Sequence, residues 1–353
     1  PPGPPRPPAP PPSLPAVATD TPPTLQTATF SSDGAPLLLL TFGPWRTNRA
    51  GTNGVVQCAA FFDDATSTLS YVVADMEAGV CAVIDPVLDL DEASAEISTH
   101  GANRILSHIE NNALSCQYIL ETHVHADHLS AGYFLKKRLK TPIGIGHGIV
   151  EVQHVFAEMY SESPSFQRDG SQFDLLMTDG QRLPLGRFSI EALHVPGHTP
   201  ACMAYRCDTA LFAGDTLFMP DAGTARCDFP GGNASDLYRS IRRLLALPDD
   251  IRVYVCHDYQ PNGRTLAFEA TVAEHRRHNV HVADGTNESD FVNMRNARDA
   301  QLATPRLMLP SMQVNIRAGA LPAHPVSSRP AITLPINAFS HADVSEVLDK
   351  SLS

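Results

Sequence analysis

Basic surplus, paired cysteines and long apolar runs are what this sequence has least of, and each shortage excludes something. The 353 residues carry 26 Lys and Arg against 38 Asp and Glu, giving a formal net charge of -12 and a pI near 5.6. Such a balance argues against a surface built for phosphate backbones or anionic lipid, so neither nucleic acid nor membrane is expected as a partner. The seven cysteines are scattered without C-x-x-C spacing. They make no disulfide framework, and a chain of this length can bury a core without one. A reducing compartment, cytoplasmic or mitochondrial, is the expectation. The longest apolar run near the start, Ala35 to Phe42, is too short to span a bilayer and follows no basic segment. Because the first residue is Pro1 rather than Met, a fragment or processed form is expected, with any targeting segment upstream of it.

Proline dominates the first 25 residues, a composition that favours extended polyproline II and cannot bury a core. Residues 1–54 are therefore expected to be a disordered leader. From Val55 the composition becomes that of a folded domain, and 43% hydrophobic content supports one large core. The expected organisation is a catalytic domain over 55–280 and a C-terminal extension over 281–353 that packs on it and ends in a loosely structured tail. Homo-oligomerisation is left open.

The chain is organised around Thr122-His123-Val124-His125-Ala126-Asp127-His128, which directly follows the apolar run Cys116 to Leu120. That run reads as a buried strand, so the histidines lie on the loop leaving its C-terminal end. Imidazole and carboxylate are ligands that iron and zinc share, and i, i+2 spacing lets a tight loop turn two of them to one point. Upstream, Ser70–Asp75 and Val80–Asp85 read as a hairpin, and Arg104–Leu114 as a helix. Downstream, Leu129–Leu139 and Ile149–Tyr160 read as helices, and Pro142–Gly146 as a short strand. Leu175–Leu185 and Phe188–Val195 read as strands around the turn at Asp179-Gly180. His147, His154 and His194 are expected to be structural or surface residues.

Three further segments repeat the arrangement. Val195-Pro196-Gly197-His198-Thr199 makes a sharp turn that leaves His198 projecting from a strand end. Ala210 to Ala213 runs into Gly214-Asp215-Thr216, and Val253 to Val255 into Cys256-His257-Asp258-Tyr259. Four strand ends thus deliver His, Asp or both, which points to convergence on one metal site. A helix is expected from near Ser235 and another over Asp290–Leu302, with Pro305–Gly319 as extended chain.

The H-x-H-x-D-H pattern, with its downstream partners, resembles the metal-binding signature of the metallo-β-lactamase superfamily over about residues 55–280. That resemblance implies an α/β fold, the αββα sandwich. The segment Gly223-Thr224-Ala225-Arg226-Cys227-Asp228-Phe229-Pro230-Gly231-Gly232 and the ending Cys256-His257-Asp258-Tyr259 are similar to the persulfide dioxygenase (ETHE1-like) branch. In that branch the resemblance implies one Fe(II) per chain on His123, His198 and Asp215, a facial triad with open positions. It also implies oxidation of glutathione persulfide by O2 to sulfite and glutathione. Arg226 would then lie near the glutathione, or else form a salt bridge to Asp228, and Tyr259 would lie near the iron. In this reading His125, Asp127, His128 and His257 surround the iron ligands without binding the metal themselves. In the alternative, a glyoxalase II-like hydrolase of glutathione thioesters with two Zn, they complete a dinuclear site.

Overall fold

β-Branched and aromatic residues concentrate between Val55 and Ile84, and there the chain builds a sheet. In the computed structural model, which describes residues 54–336 apart from 325, β1 (Gln57–Asp63), β2 (Thr68–Asp75) and β3 (Val80–Ile84) form an antiparallel meander. β2 is buried along its whole length, as a strand covered on both faces must be. β4 (Val87–Asp91) and β5 (Glu96–Ser98) pair as a small ribbon. α1 (His100–Asn111) then buries Ala102, Ile105, Leu106 and Ile109 on one stripe and returns the chain to β6 (Ser115–Leu120), which runs parallel to β3. The expected leader lies, up to residue 53, outside the described residues, as does the expected tail from 337.

After β6 come β7 (Leu129–Ser130), paired with β4, and α2 (Gly132–Leu139). β8 (Ile143–Gly146), α3 (Ile149–Met159) and β9 (Leu175–Met177) complete a six-stranded sheet of order β1-β2-β3-β6-β8-β9. The second sheet runs in chain order through β10 (Arg182–Leu185), β11 (Phe188–His194), β12 (Met203–Cys207), β13 (Ala210–Phe212), β14 (Arg252–Tyr254) and β15 (Glu269–Thr271). Between β13 and β14, α4 (Ala234–Leu244) makes the parallel crossover of this second sheet, its first turn capped by the Asn233 side chain accepting from Asp236 N. α5 (Val272–His278), α6 (Glu288–Asp299) and α7 (Met308–Asn315) follow.

Three apolar layers hold these elements in an αββα sandwich. Leu69, Tyr71, Ile84 and Leu120 of the first sheet meet Leu185, Ile190, Tyr205 and Phe212 of the second. Outside the first sheet, Ile105, Leu135, Val152 and Met312 pack on Val72, Val83 and Ile119. Outside the second, Leu237, Ile241 and Phe291 pack on Leu193, Val195 and Leu211. No helix of the described residues is long and apolar enough to cross a membrane.

Two expectations are corrected. Residues 308–315 form a helix rather than extended chain, because Pro310 falls in its first turn, where a backbone N–H is not needed. The Asp179-Gly180 turn does not join two strands of one hairpin. It divides Leu175–Leu185 into β9 and β10, which belong to different sheets, while Gly186, at φ +59°, turns β10 back into β11.

Gly197 lies in the turn between β11 and β12, packed against the first turn of α4. Its φ is +140°, and a Cβ there would lie 2.3 Å from the backbone nitrogen of Leu237. Gly197→Ala therefore combines backbone strain with a clash against a helix that cannot retreat, and a loss of about 2–4 kcal/mol is expected in urea unfolding. A loss below about 0.5 kcal/mol, the range of ordinary surface changes, would contradict this account of the turn.

Candidate metal centre

Two parallel strand pairs, one in each sheet, set the site. β3 and β6 are in register with Ile84 opposite Leu120, so Asp85 leaves the sheet beside Glu121, Thr122 and His123. β13 and β14 are in register with Phe212 opposite Tyr254, so Asp215 and His257 leave theirs together. Met203 N donates to Thr122 O at 2.8 Å and Leu69 N to Cys256 O at 2.7 Å, which ties the two sets of strand ends to one another. Carboxyl ends of parallel strands are where α/β sheets place ligands, because the chain there turns outward into loops.

His123, His198 and Asp215 are all buried, and one donor atom from each lies within 4.8 Å of the others. Asp215 Oδ2 is 3.9 Å from His123 Nε2 and 3.7 Å from His198 Nε2. The opposite oxygen, Oδ1, is 3.3 Å from His257 Nε2, which is also 3.2 Å from Asp127 Oδ2. His128 completes the surroundings, its ring 4.2 Å from that of His125. The other groups of three metal-capable side chains among the described residues each contain His125, whose Nε2 is turned to Asp85 Oδ1 at 3.0 Å. His147, His154 and His194 belong to none of these groups.

Each candidate ligand is oriented by a partner on its other side. His198 Nδ1 donates to the Arg226 carbonyl at 2.7 Å, and His128 Nδ1 to the Leu129 carbonyl at 3.2 Å, so in both rings Nε2 keeps its lone pair. His123 Nδ1 is 3.0 Å from Thr122 Oγ1, which in turn donates to Asp85 Oδ2 at 2.9 Å. Burial, reinforced by the charge of His125, holds the His123 imidazole well below its ordinary pKa, and burial pushes His128 down to about 3. Both are neutral, the state a metal ligand needs. Burial pushes the Asp215 carboxyl up, but His257, His123 and His198 outweigh it and hold the group well below the usual carboxylate range.

The donor set fits a divalent cation. Buried His123 Nε2 has no hydrogen-bond partner in the protein. Leaving such an atom unpartnered costs about 1–3 kcal/mol, and a cation among His123, His198 and Asp215 offsets that cost. The described fold and this cluster coincide with a known family: the profile of the metallo-beta-lactamase superfamily matches residues 63–257.

This chain belongs to the metallo-β-lactamase superfamily.

Within the superfamily, a probable metallo-hydrolase of Burkholderia pseudomallei is 51% identical over 289 residues, 79% of this chain and 98% of the relative. Glyoxylase B2 of Dictyostelium discoideum is 44% identical over 276 residues, 77% of this chain and 94% of the relative. The crystal structure of ETHE1 from Myxococcus xanthus superposes with a TM-score of 0.59 at 28% identity, covering 74% of this chain and 99% of that one.

Arg226 and Tyr259 stand at the edge of the cluster. The Arg226 guanidinium forks onto Asp228 at 2.6 and 2.7 Å and donates to the Ala303 carbonyl at 2.7 Å, with Phe229 beneath it at 5.0 Å. Tyr259, 55% exposed, stacks on His257 at 5.7 Å. Sequence reasoning did not single out Asp85, Glu121 or Asn315. Asp85 accepts from Thr122 N at 2.7 Å and from Thr122 Oγ1, and meets His125. Glu121, equally buried, accepts from Ser130 Oγ and lies 3.5 Å from His125. The signal was present for Asp85, an acid at the end of an apolar strand like Asp215, but its following proline reads first as a turn.

His198→Ala and Asp215→Ala are each expected to abolish metal retention through gel filtration while the circular dichroism spectrum is kept, since a three-ligand site missing one ligand holds a labile cation poorly. Full occupancy in both folded variants would remove these residues from the ligand set.

Proposed function

We propose that this chain is an Fe(II)-dependent persulfide dioxygenase that oxidises glutathione persulfide with O2 to sulfite and glutathione. The observation carrying this reading is the His123, His198 and Asp215 set, two imidazoles and one carboxylate facing one point. Fe(II) held there would supply adjacent open positions for a sulfur and for O2, the use to which facial triads are put. The superposition with ETHE1 from Myxococcus xanthus supports the same branch.

The protein's own groups divide the work around that point. Asp215 presents one oxygen to His123 and His198, because the other is engaged by His257. His257 lies between Asp127 and Asp215 on the far side of the cluster, where in this reading it orients the Asp215 carboxylate. Tyr259, stacked on His257 and half open to solvent, would serve as a proton donor beside the cluster. The Arg226 salt bridge to Asp228 is formed, and in this reading the N–H groups it leaves free would receive a carboxylate of the peptide moiety. In the overall reaction the S–S bond breaks and the terminal sulfur gives four electrons to O2. It takes up both oxygen atoms and one from water, leaving as sulfite. The inner sulfur takes up a proton and leaves as glutathione thiol, and the remaining protons of the persulfide and the water are released.

A second reading is a dinuclear hydrolase of glutathione thioesters. It is favoured by the presence of His125, Asp127, His128 and His257 together and by the names of the 51% and 44% identical relatives. The two reactions differ in whether an oxidant is consumed. With Fe(II) restored anaerobically and glutathione persulfide added, O2 uptake and sulfite are expected in equal amounts, both stopping when the iron is chelated. No O2 uptake with any low-molecular-weight persulfide, alongside hydrolysis of S-lactoylglutathione, would replace the dioxygenase with the thioesterase.

A further inference from the structure

The loop that carries His123, His125, Asp127 and His128 is neither helix nor strand. No ladder of its own fixes its backbone, yet a metal site tolerates displacements of only about 0.5 Å in its ligands. What fixes it comes from the far end of the chain. Asn315, the last residue of α7, is 4% exposed and lies 190 positions from His125 in sequence. Its Nδ2 donates to the carbonyls of His125 and His128, both at 2.8 Å, and its Oδ1 accepts from Ser130 N at 2.8 Å. Two carbonyls on one side and an N–H on the other leave only one orientation of the carboxamide, and both of its donor hydrogens are used.

We propose that Asn315 is a positioning residue of the metal centre: by bracketing Ala126 and Asp127 between two carbonyl contacts, it sets the shape of the metal loop and so the affinity for the metal. The inference rests on the cluster being a metal centre and is independent of which reaction that centre performs. Asn315 is itself held rigid. Tyr160 Oη donates to the Leu309 carbonyl at 2.8 Å, and Gln153 Nε2 to the Ile316 carbonyl at 2.9 Å. Gly319, at φ +85°, presses so close to Ser130 that a Cβ would stand 2.6 Å from its carbonyl oxygen. A segment beyond the profile-matched residues 63–257 therefore finishes the site. α6 does the same for the opposite wall. Asp299 accepts from Cys227 N at 2.9 Å and is itself paired with Arg295, which donates to Thr224 O at 3.1 Å. This steadies the segment whose Arg226 carbonyl aims His198.

The test is the dissociation constant for Zn(II) and, anaerobically, for Fe(II), by competition with a chromophoric chelator. It is read beside the thermal midpoint of the metal-free protein. Asn315→Asp keeps the size and the acceptor but turns an oxygen towards two carbonyl oxygens. Arg187→Ala breaks the ion pair with Asp75, away from both the loop and α7. Asn315→Asp is expected to weaken both metals about 10- to 100-fold, the usual effect of losing a group that orients ligands, while Arg187→Ala lowers the midpoint and leaves the affinities unchanged. If Asn315→Asp does not fold, Asn315→Ser removes the carboxamide without adding charge and carries the same expectation. Wild-type affinity in the Asn315 variants, or losses in all variants that follow the thermal midpoint alone, overturns the inference. A wild-type protein that binds neither metal overturns the metal-centre reading instead, and the inference falls with it.

Discussion

The Asp85 carboxylate, buried where two parallel strands end, is the point from which the metal loop is hung. It accepts from the backbone and the hydroxyl of Thr122 and meets Nε2 of His125. One side chain therefore fixes where the loop begins, which tautomer His123 keeps through Thr122, and which way the His125 ring faces. Its left-handed backbone, φ +49°, is a strain held in place by these bonds. A buried carboxylate with so many donors is worth its desolvation only if all of them are present. That makes the strand register, not the loop sequence alone, the determinant of the site.

The same logic runs outward. A cluster of imidazoles and carboxylates is an unfavourable core, and the apolar layers around it must supply the stability that it does not. Tyr71, Phe212 and Tyr254, with ring centroids 5.2–5.5 Å apart, fill the inter-sheet layer behind the site, each such ring pair adding about 0.5–1.5 kcal/mol beyond its area. The layer is rigid because it is dry and close-packed, and the strand ends inherit that rigidity. The polar cluster then sits at the rim, where loops can open to substrate.

Much of this was legible in the residues. The apolar run Cys116–Leu120 before His123, the Pro196-Gly197 turn before His198 and the strand before Asp215 each announce a candidate ligand by the same rule, a polar group where a buried strand stops. The αββα architecture follows from the family resemblance those ligands carry. What could not be read was long-range pairing. Asn315 lies in a segment whose two prolines suggest extended chain, and its partners are carbonyls, which any sequence could offer. Arg226 contributes its backbone oxygen to His198, a role independent of side-chain identity. The division of Leu175–Leu185 between two sheets depends on where the layers separate, which local propensity does not encode.

The proposed centre is one cation held by His123, His198 and Asp215, with His257 and Asp127 beside it. Anomalous diffraction from crystals of protein grown anaerobically with excess Fe(II), collected either side of the iron edge, tests this most directly. A single iron peak per chain, bounded by those three side chains, is the predicted result. A second peak of similar height between Asp127, His128 and His257 would contradict it and make the centre dinuclear.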